Sequence, residues 1–316
     1  MSAMSRREWM RAAGQAAVAT TAGWPARGAA GQSGTTPGGP PRPSFLIFSK
    51  HLPDLSWSEL GRAVKDAGID GVDLTVRPQG HVLPERGAED LPRAIEAIRS
   101  HGVQVPMITT DLTSAANPLA RPLLQAAVRS GVRYFKTGYW RYSPTSRDVA
   151  AQAAAAGQAL AGLAALARDC GIELGFHNHN AYIGAALWDI APAMDRLDPK
   201  WAGYYFDPRH AVAEGGGGAW KAATHLALAR LKMVAIKDFY WKKSDKGWQI
   251  EDCPMGEGMV DWAWFGAALR ESEFAGPISL HLEYEIPGAT PEERTRKTIA
   301  AAVKDIAFAR RTLGQS

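Results

Sequence analysis

Ile172–Asn180 reads IELGFHNHN. Alternating apolar residues mark a strand, and it closes on two histidines one residue apart. On a strand, residues two apart share a face, so His177 and His179 project together. Three later segments repeat the pattern: WAGYYFDPRH ends on Asp207 and His210, LKMVAIKD on Lys237 and Asp238, and ISLHLEY on His281 and Glu283. Each is an apolar run finishing in metal- or proton-handling groups, always at the C-terminal end.

Outward from this stretch the chain alternates strand and helix patterns. Strand-like runs at 45–49, 71–76, 103–109, 132–137, 172–177, 202–207, 231–237 and 277–283 are each followed by a helix-like segment. The helices are expected near 56–67, 89–100, 118–130, 145–169, 187–197, 219–229, 261–272 and 291–312. The strands are mostly apolar, as when helices cover a parallel sheet. Eight units from Ser44 onward predict a single-domain (β/α)8 TIM barrel over 44–316. A doubly wound open sheet is the alternative, but no GxGxxG turn joins strand to helix. Gly215–Gly218 lack the Lys-Ser/Thr of a phosphate loop and read as a flexible turn, and 239–258 as a long loop and candidate lid.

The barrel gathers the strand-end residues, because such sites form at the C-terminal ends of the strands. His177, His179, Asp207, His210, Lys237, His281 and Glu283 then ring one mouth, joined by Lys50, His51, Asp73, Arg77 and Lys136. Imidazole with carboxylate suits a divalent metal such as Mn, Zn, Co or Fe. Asp207 and Glu283 end apolar strands, where an unpaired charge is costly; an arginine, a loop amide or a metal can answer that need. Lys237–Asp238 reads as a plain ion pair, or Lys237 as a substrate contact or base. Tyr139, Trp140 and Tyr142, with Phe239, Tyr240 and Trp241, are placed to wall a pocket.

The first 30 residues read differently. Arg6-Arg7 precede an alanine-rich stretch, and Gly28, Ala29 and Ala30 offer a peptidase site, the pattern of a twin-arginine signal peptide. Residues 31–43 form a Gly/Pro linker. Export by the twin-arginine (Tat) machinery to the periplasm or medium is expected. No run reaches the ~18 apolar residues of a membrane span, so no stable membrane anchor is expected. The whole chain carries net +4. Removing Arg6, Arg7, Arg11, Arg27 and Glu8 leaves net +1, which argues against nucleic acid as a partner. Of 316 residues, 46% are hydrophobic, enough for a core without staples, and only Cys170 and Cys253 are available for a disulfide.

LGFHNHN, YFDPRHA, VAIKDF, PMGEGMVDW and GPISLHLEY, in that order and spacing, resemble the sugar phosphate isomerase/epimerase family with its xylose isomerase-like barrel. The resemblance covers nearly everything from Ser44 on. It implies a metal-dependent isomerase or epimerase acting on a small carbohydrate by proton transfer beside a carbonyl, through an enediolate. The alternatives are a lyase or dehydratase on a keto-sugar or inositol derivative, and a non-catalytic periplasmic sugar-binding protein. A metal-dependent endonuclease on the same barrel ranks last. The resemblance puts metal ligands among His177, His179, Asp207, His281 and Glu283, with His177 where many members carry glutamate. It puts catalytic roles on Glu283, Lys237 and His177, and substrate contacts on His210, Lys136, His51, Arg77 and Trp140. His281 and Glu283 compete for the last carboxylate position. The seventh-strand ligand falls on Ala235, so His179, Lys237 or water replaces it, or the metal is held less tightly.

Overall fold

A computed structural model describes residues 42–314; the expected signal peptide and nearly all of the linker lie outside them. The strands are β1 Phe45–Phe48, β2 Gly71–Val76, β3 Gln104–Thr110, β4 Tyr134–Lys136, β5 Glu173–His177, β6 Ala202–Phe206, β7 Leu231–Ile236, β8 Asp238–Ser244, β9 Gly247–Cys253 and β10 Ile278–Leu280. β1–β7 and β10 close into a parallel barrel in which β10 lies between β7 and β1. Outside it run α1 Trp57–Asp66, α2 Gly87–Arg99, α3 Ala120–Arg129, α4 Val149–Cys170, α5 Ala191–Met194, α6 Pro208–Leu228, α7 Trp262–Glu271 and α8 Pro291–Leu313. The expected TIM barrel is therefore present.

Alternation along each strand divides two cores. Inward-facing Leu46, Met107, Tyr134, Tyr205, Met233 and Ala235 fill the barrel as one buried cluster, while outward residues such as Ile47, Leu74, Phe176 and Ile278 meet the helices. Gly175 belongs to this inner packing: a Cβ there would lie 2.0 Å from Met233 Cε. One step further along the strands, Asp73, Thr109, Lys136, His177, Asp207, Lys237, Ser279 and His281 form a buried polar layer above that apolar plug. The chemistry thus rests on a rigid floor.

Several elements depart from the sequence reading. Residues 239–258 are not an irregular loop: β8 and β9 pair antiparallel around Asp245–Lys246 as a hairpin. Its base is held by Asp238, whose carboxylate accepts from the N–H groups of Phe239, Gly256, Gly258 and Val260 and from Trp262 Nε1. Asp238 is thus no ion-pair partner of Lys237. α6 begins at Pro208, eleven residues early, because Asp207 caps it and proline suits the first helical position. The glycine run lies inside α6 and breaks it at Gly216 (φ 56°, ψ −164°), a conformation open to glycine. The helix expected at 187–197 shrinks to a 3-10 turn at Leu187–Asp189 and α5; Pro192 lacks the N–H that would bind back one turn. α4 is long and apolar enough to cross a membrane by length and composition, which the sequence reading missed, yet it buries Leu160, Leu163, Leu166 and Ala167 on the barrel. Cys170 and Cys253 are free.

Candidate metal and sugar site at the barrel mouth

Three side chains converge over the plug. His177 ends β5, Asp207 follows β6, and His210 stands one turn into α6, reached because Asp207 Oδ1 accepts the His210 N–H (3.2 Å) as helix cap. Their ligand atoms lie within 4.8 Å of one another, and all three residues are buried. His177 Nε2 is 3.8 Å and His210 Nε2 3.5 Å from Asp207 Oδ2. None of these atoms, nor His177 Nδ1, has a hydrogen bond. Sealed polar atoms without partners are rare and costly. Lys237 Nζ stands 3.2 Å from the same Oδ2 and forms an ion pair with it.

Hydrogen bonds fix which nitrogen carries the proton on the neighbouring rings. Arg209 Nη1 can only donate, so its 3.1 Å contact makes His210 Nδ1 an acceptor and leaves the proton on Nε2. His179 Nδ1 donates to the Asn180 carbonyl (2.8 Å), leaving Nε2 bare. His51 Nε2 accepts the Leu282 N–H (3.1 Å). His177, by contrast, has neither nitrogen engaged.

Charge follows burial. Burial drives His177 and His210 well below the usual histidine range, and Lys237 nearby pushes the same way. Burial brings His179 and His51 down to about 4. All four are neutral imidazoles at neutral pH, the form that accepts protons and binds metals. Burial raises Asp207 above the ordinary carboxylate range, against the pull of Lys237 and Arg209. Burial also depresses Lys136, and Arg77 nearby adds to it. Lys136 makes no ion pair among the described residues; its Nζ lies 3.4 Å over the Tyr139 ring.

The chemistry of the donors fits a divalent cation between His177 and Asp207. His210 becomes a third ligand only if its Nε2 proton moves to Nδ1 and the Arg209 contact breaks. Two residues expected among the ligands are engaged elsewhere, although the His281 ring lies parallel to that of His177 at 6.2 Å. Glu283 is paired with Lys50 (2.9 Å), and His281 Nε2 is 3.0 Å from Tyr205 OH, its ring stacked on Phe48. His179 is closer in: its ring lies 4.0 Å from that of His210. Ala235, the gap in the expected ligand set, sits in the apolar plug one layer lower.

The aromatic wall also differs from expectation. Trp140 stacks on Phe176, on the helix side of β5, and it is Tyr139 that meets His177 and His179, at ring distances of 5.8 and 4.9 Å. Arg77 lies over Phe48, 5.5 Å from the ring centre. Tyr205, Thr109 and Ser279 were not singled out from the sequence. Their one signal is a hydroxyl at an inward-facing position of an otherwise apolar strand.

Residues 62–306 match the family described as Xylose isomerase-like TIM barrel. Among solved structures, a D-psicose 3-epimerase from Clostridium cellulolyticum H10, crystallised with D-tagatose, is 14% identical over 85% of this chain and 99% of its own, with TM-score 0.66. A D-allulose 3-epimerase from Methylomonas sp. is 19% identical over 87% and 99%, with TM-score 0.64. A 3-keto-D-glucoside 4-epimerase from E. coli is 17% identical over 83% and 99%, with TM-score 0.62. At these identities the likeness is one of fold. No curated protein matches the sequence.

Proposed function

The chain belongs to the xylose isomerase-like TIM barrel family, and on that premise we propose that it is a metal-dependent isomerase or epimerase of a sugar or keto-sugar. The observation that carries this reading is the convergence of His177, Asp207 and His210 at the barrel mouth, with both His177 nitrogens sealed and unpartnered. The fold neighbours named above as epimerases of psicose, allulose and a 3-keto-glucoside support the substrate class.

His177 and Asp207 would hold the ion, with His210 as third ligand or as a proton donor to a substrate oxygen. A bound divalent cation supplies Lewis-acid polarisation of a carbonyl and neighbouring hydroxyl. Lys237 and Lys136, both buried beside this point, donate hydrogen bonds to the same class of oxygen and favour negative charge there. Tyr139 offers a ring face to sugar C–H surface. The bare Nε2 of His179 accepts the proton from the carbon next to the carbonyl. Its return to the other carbon gives an isomer, and delivery of a proton to the opposite face by a second group gives an epimer. Twin arginines at Arg6-Arg7 support export, so the reaction belongs to the periplasm or the medium; an Arg6→Lys, Arg7→Lys double variant retained in the cytoplasm is the expected outcome.

The test is metal content of the purified protein, followed by exchange of solvent deuterium into a panel of keto-sugars with and without added Mn. Bound metal and deuterium at one carbon beside the carbonyl are expected. Deuterium in no sugar would count against proton transfer. The Lys237 ammonium at 3.2 Å from Asp207 favours a second reading, sugar binding without metal. Calorimetric sugar binding by chelated protein that exchanges nothing would select it.

A further inference from the structure

Beneath the mouth lies a second buried carboxylate that the proposed chemistry leaves unused. Asp73, inward-facing on β2, is fully buried. Its Oδ1 accepts from Thr109 Oγ1 (2.8 Å), and its Oδ2 from Ser279 Oγ (2.9 Å) and Tyr205 OH (3.1 Å). Tyr205 OH is also 3.0 Å from His281 Nε2. The chain Asp73–Tyr205–His281 thus runs from the barrel interior to the rim through buried groups alone.

We infer that Asp73, acting through Tyr205, holds His281 in the Nε2–H tautomer and so presents a bare Nδ1 lone pair at the mouth. Tyr205 has one hydroxyl proton and two neighbours that want it. An ionised carboxylate is the stronger acceptor and can only accept, so the proton goes to Asp73. The Tyr205 oxygen must then accept; the Ser279 hydroxyl is already given to Asp73 Oδ2 at 2.9 Å, which leaves the proton on His281 Nε2 to fill it. Burial raises the Asp73 carboxyl to about 6 while Thr109, Ser279 and Tyr205 draw it back, so Asp73 is ionised at neutral pH. Nδ1 makes no hydrogen bond among the described residues and is not one of the sealed, partnerless atoms, so it keeps access to the cavity. Stacking on Phe48, with ring centroids 4.4 Å apart and planes 22° apart, fixes the ring plane.

Asp73 and Tyr205 are therefore positioning residues, and His281 is the group they aim at a substrate proton. That consequence rests on the proton-transfer reading above; the tautomer does not.

Nitrogen-15 imidazole spectra of the chelated protein test it, with His281 assigned by its loss in His281→Gln. Protonated Nε2 with unprotonated Nδ1 is expected in the wild type, and the opposite tautomer would overturn the inference whatever the variants do. In Tyr205→Phe the ring should lose its single tautomer, and kcat for deuterium exchange should fall about 10–100-fold with KM little changed. Ser279→Ala removes a donor to Asp73 but leaves the chain to His281 intact, so the wild-type tautomer should persist in it. A fall in kcat for Tyr205→Phe with the tautomer unchanged would reduce Tyr205 to a packing residue and overturn the relay. If the wild type shows the expected tautomer and exchanges no sugar, the proposed function fails and the tautomer stands.

Discussion

Asp73 and Asp207 are both sealed inside the barrel, yet their surroundings are opposite. Asp73 is saturated: three hydroxyls donate to its two oxygens. Asp207 spends Oδ1 on capping α6 and leaves Oδ2 without a hydrogen bond, facing His177, His210 and Lys237. A buried carboxylate whose needs are met is part of the fold. One left short is kept so for something that arrives later, because an unmet buried acceptor costs about 1–3 kcal/mol. The two buried carboxylates thus divide the labour, one holding position and the other receiving.

The sharpest way to break this comparison is Asp207→Asn. Asparagine caps a helix about as well as aspartate, so the barrel should unfold within about 1 kcal/mol of the wild type in urea. Metal should fall to background and deuterium exchange by at least about 100-fold, since the charged ligand is gone. Activity near that of the wild type would remove Asp207 from the site.

Asp73→Ala should do the reverse. It strands the Thr109, Ser279 and Tyr205 hydroxyls and opens a cavity, costing about 2–4 kcal/mol near pH 4, where the wild-type carboxyl is largely protonated and well bonded. The folded-state pKa of Asp73 is raised from 3.8 to about 6, so the folded protein binds more protons than the unfolded chain between those values. Its contribution to stability is therefore fully present below 3.8 and is lost as pH rises through about 6, a change of roughly 3 kcal/mol. Wild-type and Asp73→Ala unfolding curves should accordingly converge as pH rises from 4 to 7. A constant gap across that range would mean that Asp73 titrates as it does in the unfolded chain.

How much of this the sequence disclosed depends on whether the deciding partner is near in the chain. The barrel was legible because strand and helix periods are local, and so were His177 and Asp207, which end apolar runs. The hairpin β8–β9 was hidden by Lys242, Lys243 and Ser244, exposed residues with no apolar alternation to betray a strand. The early start of α6 was masked by four glycines that read as a breaker. Hydrogen-bond allegiance was beyond reach: Asp238 turns from Lys237 to the backbone some twenty residues on, and the proton on His210 is set by Arg209, itself held by Asp252 from β9 (Nε to Oδ1, 3.0 Å). Tyr205 and Ser279 sat unnoticed mid-strand because only barrel closure brings β6 and β10 to Asp73 on β2.

The smallest effect expected on metal is at Glu283, and it decides whether that residue belongs to the ligand set. The resemblance places it at the last metal-ligand position, whereas the structure gives its carboxylate to Lys50, at 2.9 and 3.3 Å. Burial pushes its pKa up, but Lys237 and Lys50 outweigh this and hold it at about 2, so it is ionised and occupied. Lys50 is 42% exposed and Glu283 26%, so solvent screening discounts the attraction that this shift implies to about 1–3 kcal/mol. Glu283→Gln should therefore leave metal per chain unchanged and shift stability by no more than that, as read by elemental analysis and urea midpoint. Loss of metal in this variant would add Glu283 to the ligands, and the division of labour between Asp73 and Asp207 would give way to a ring of donors closed around one ion.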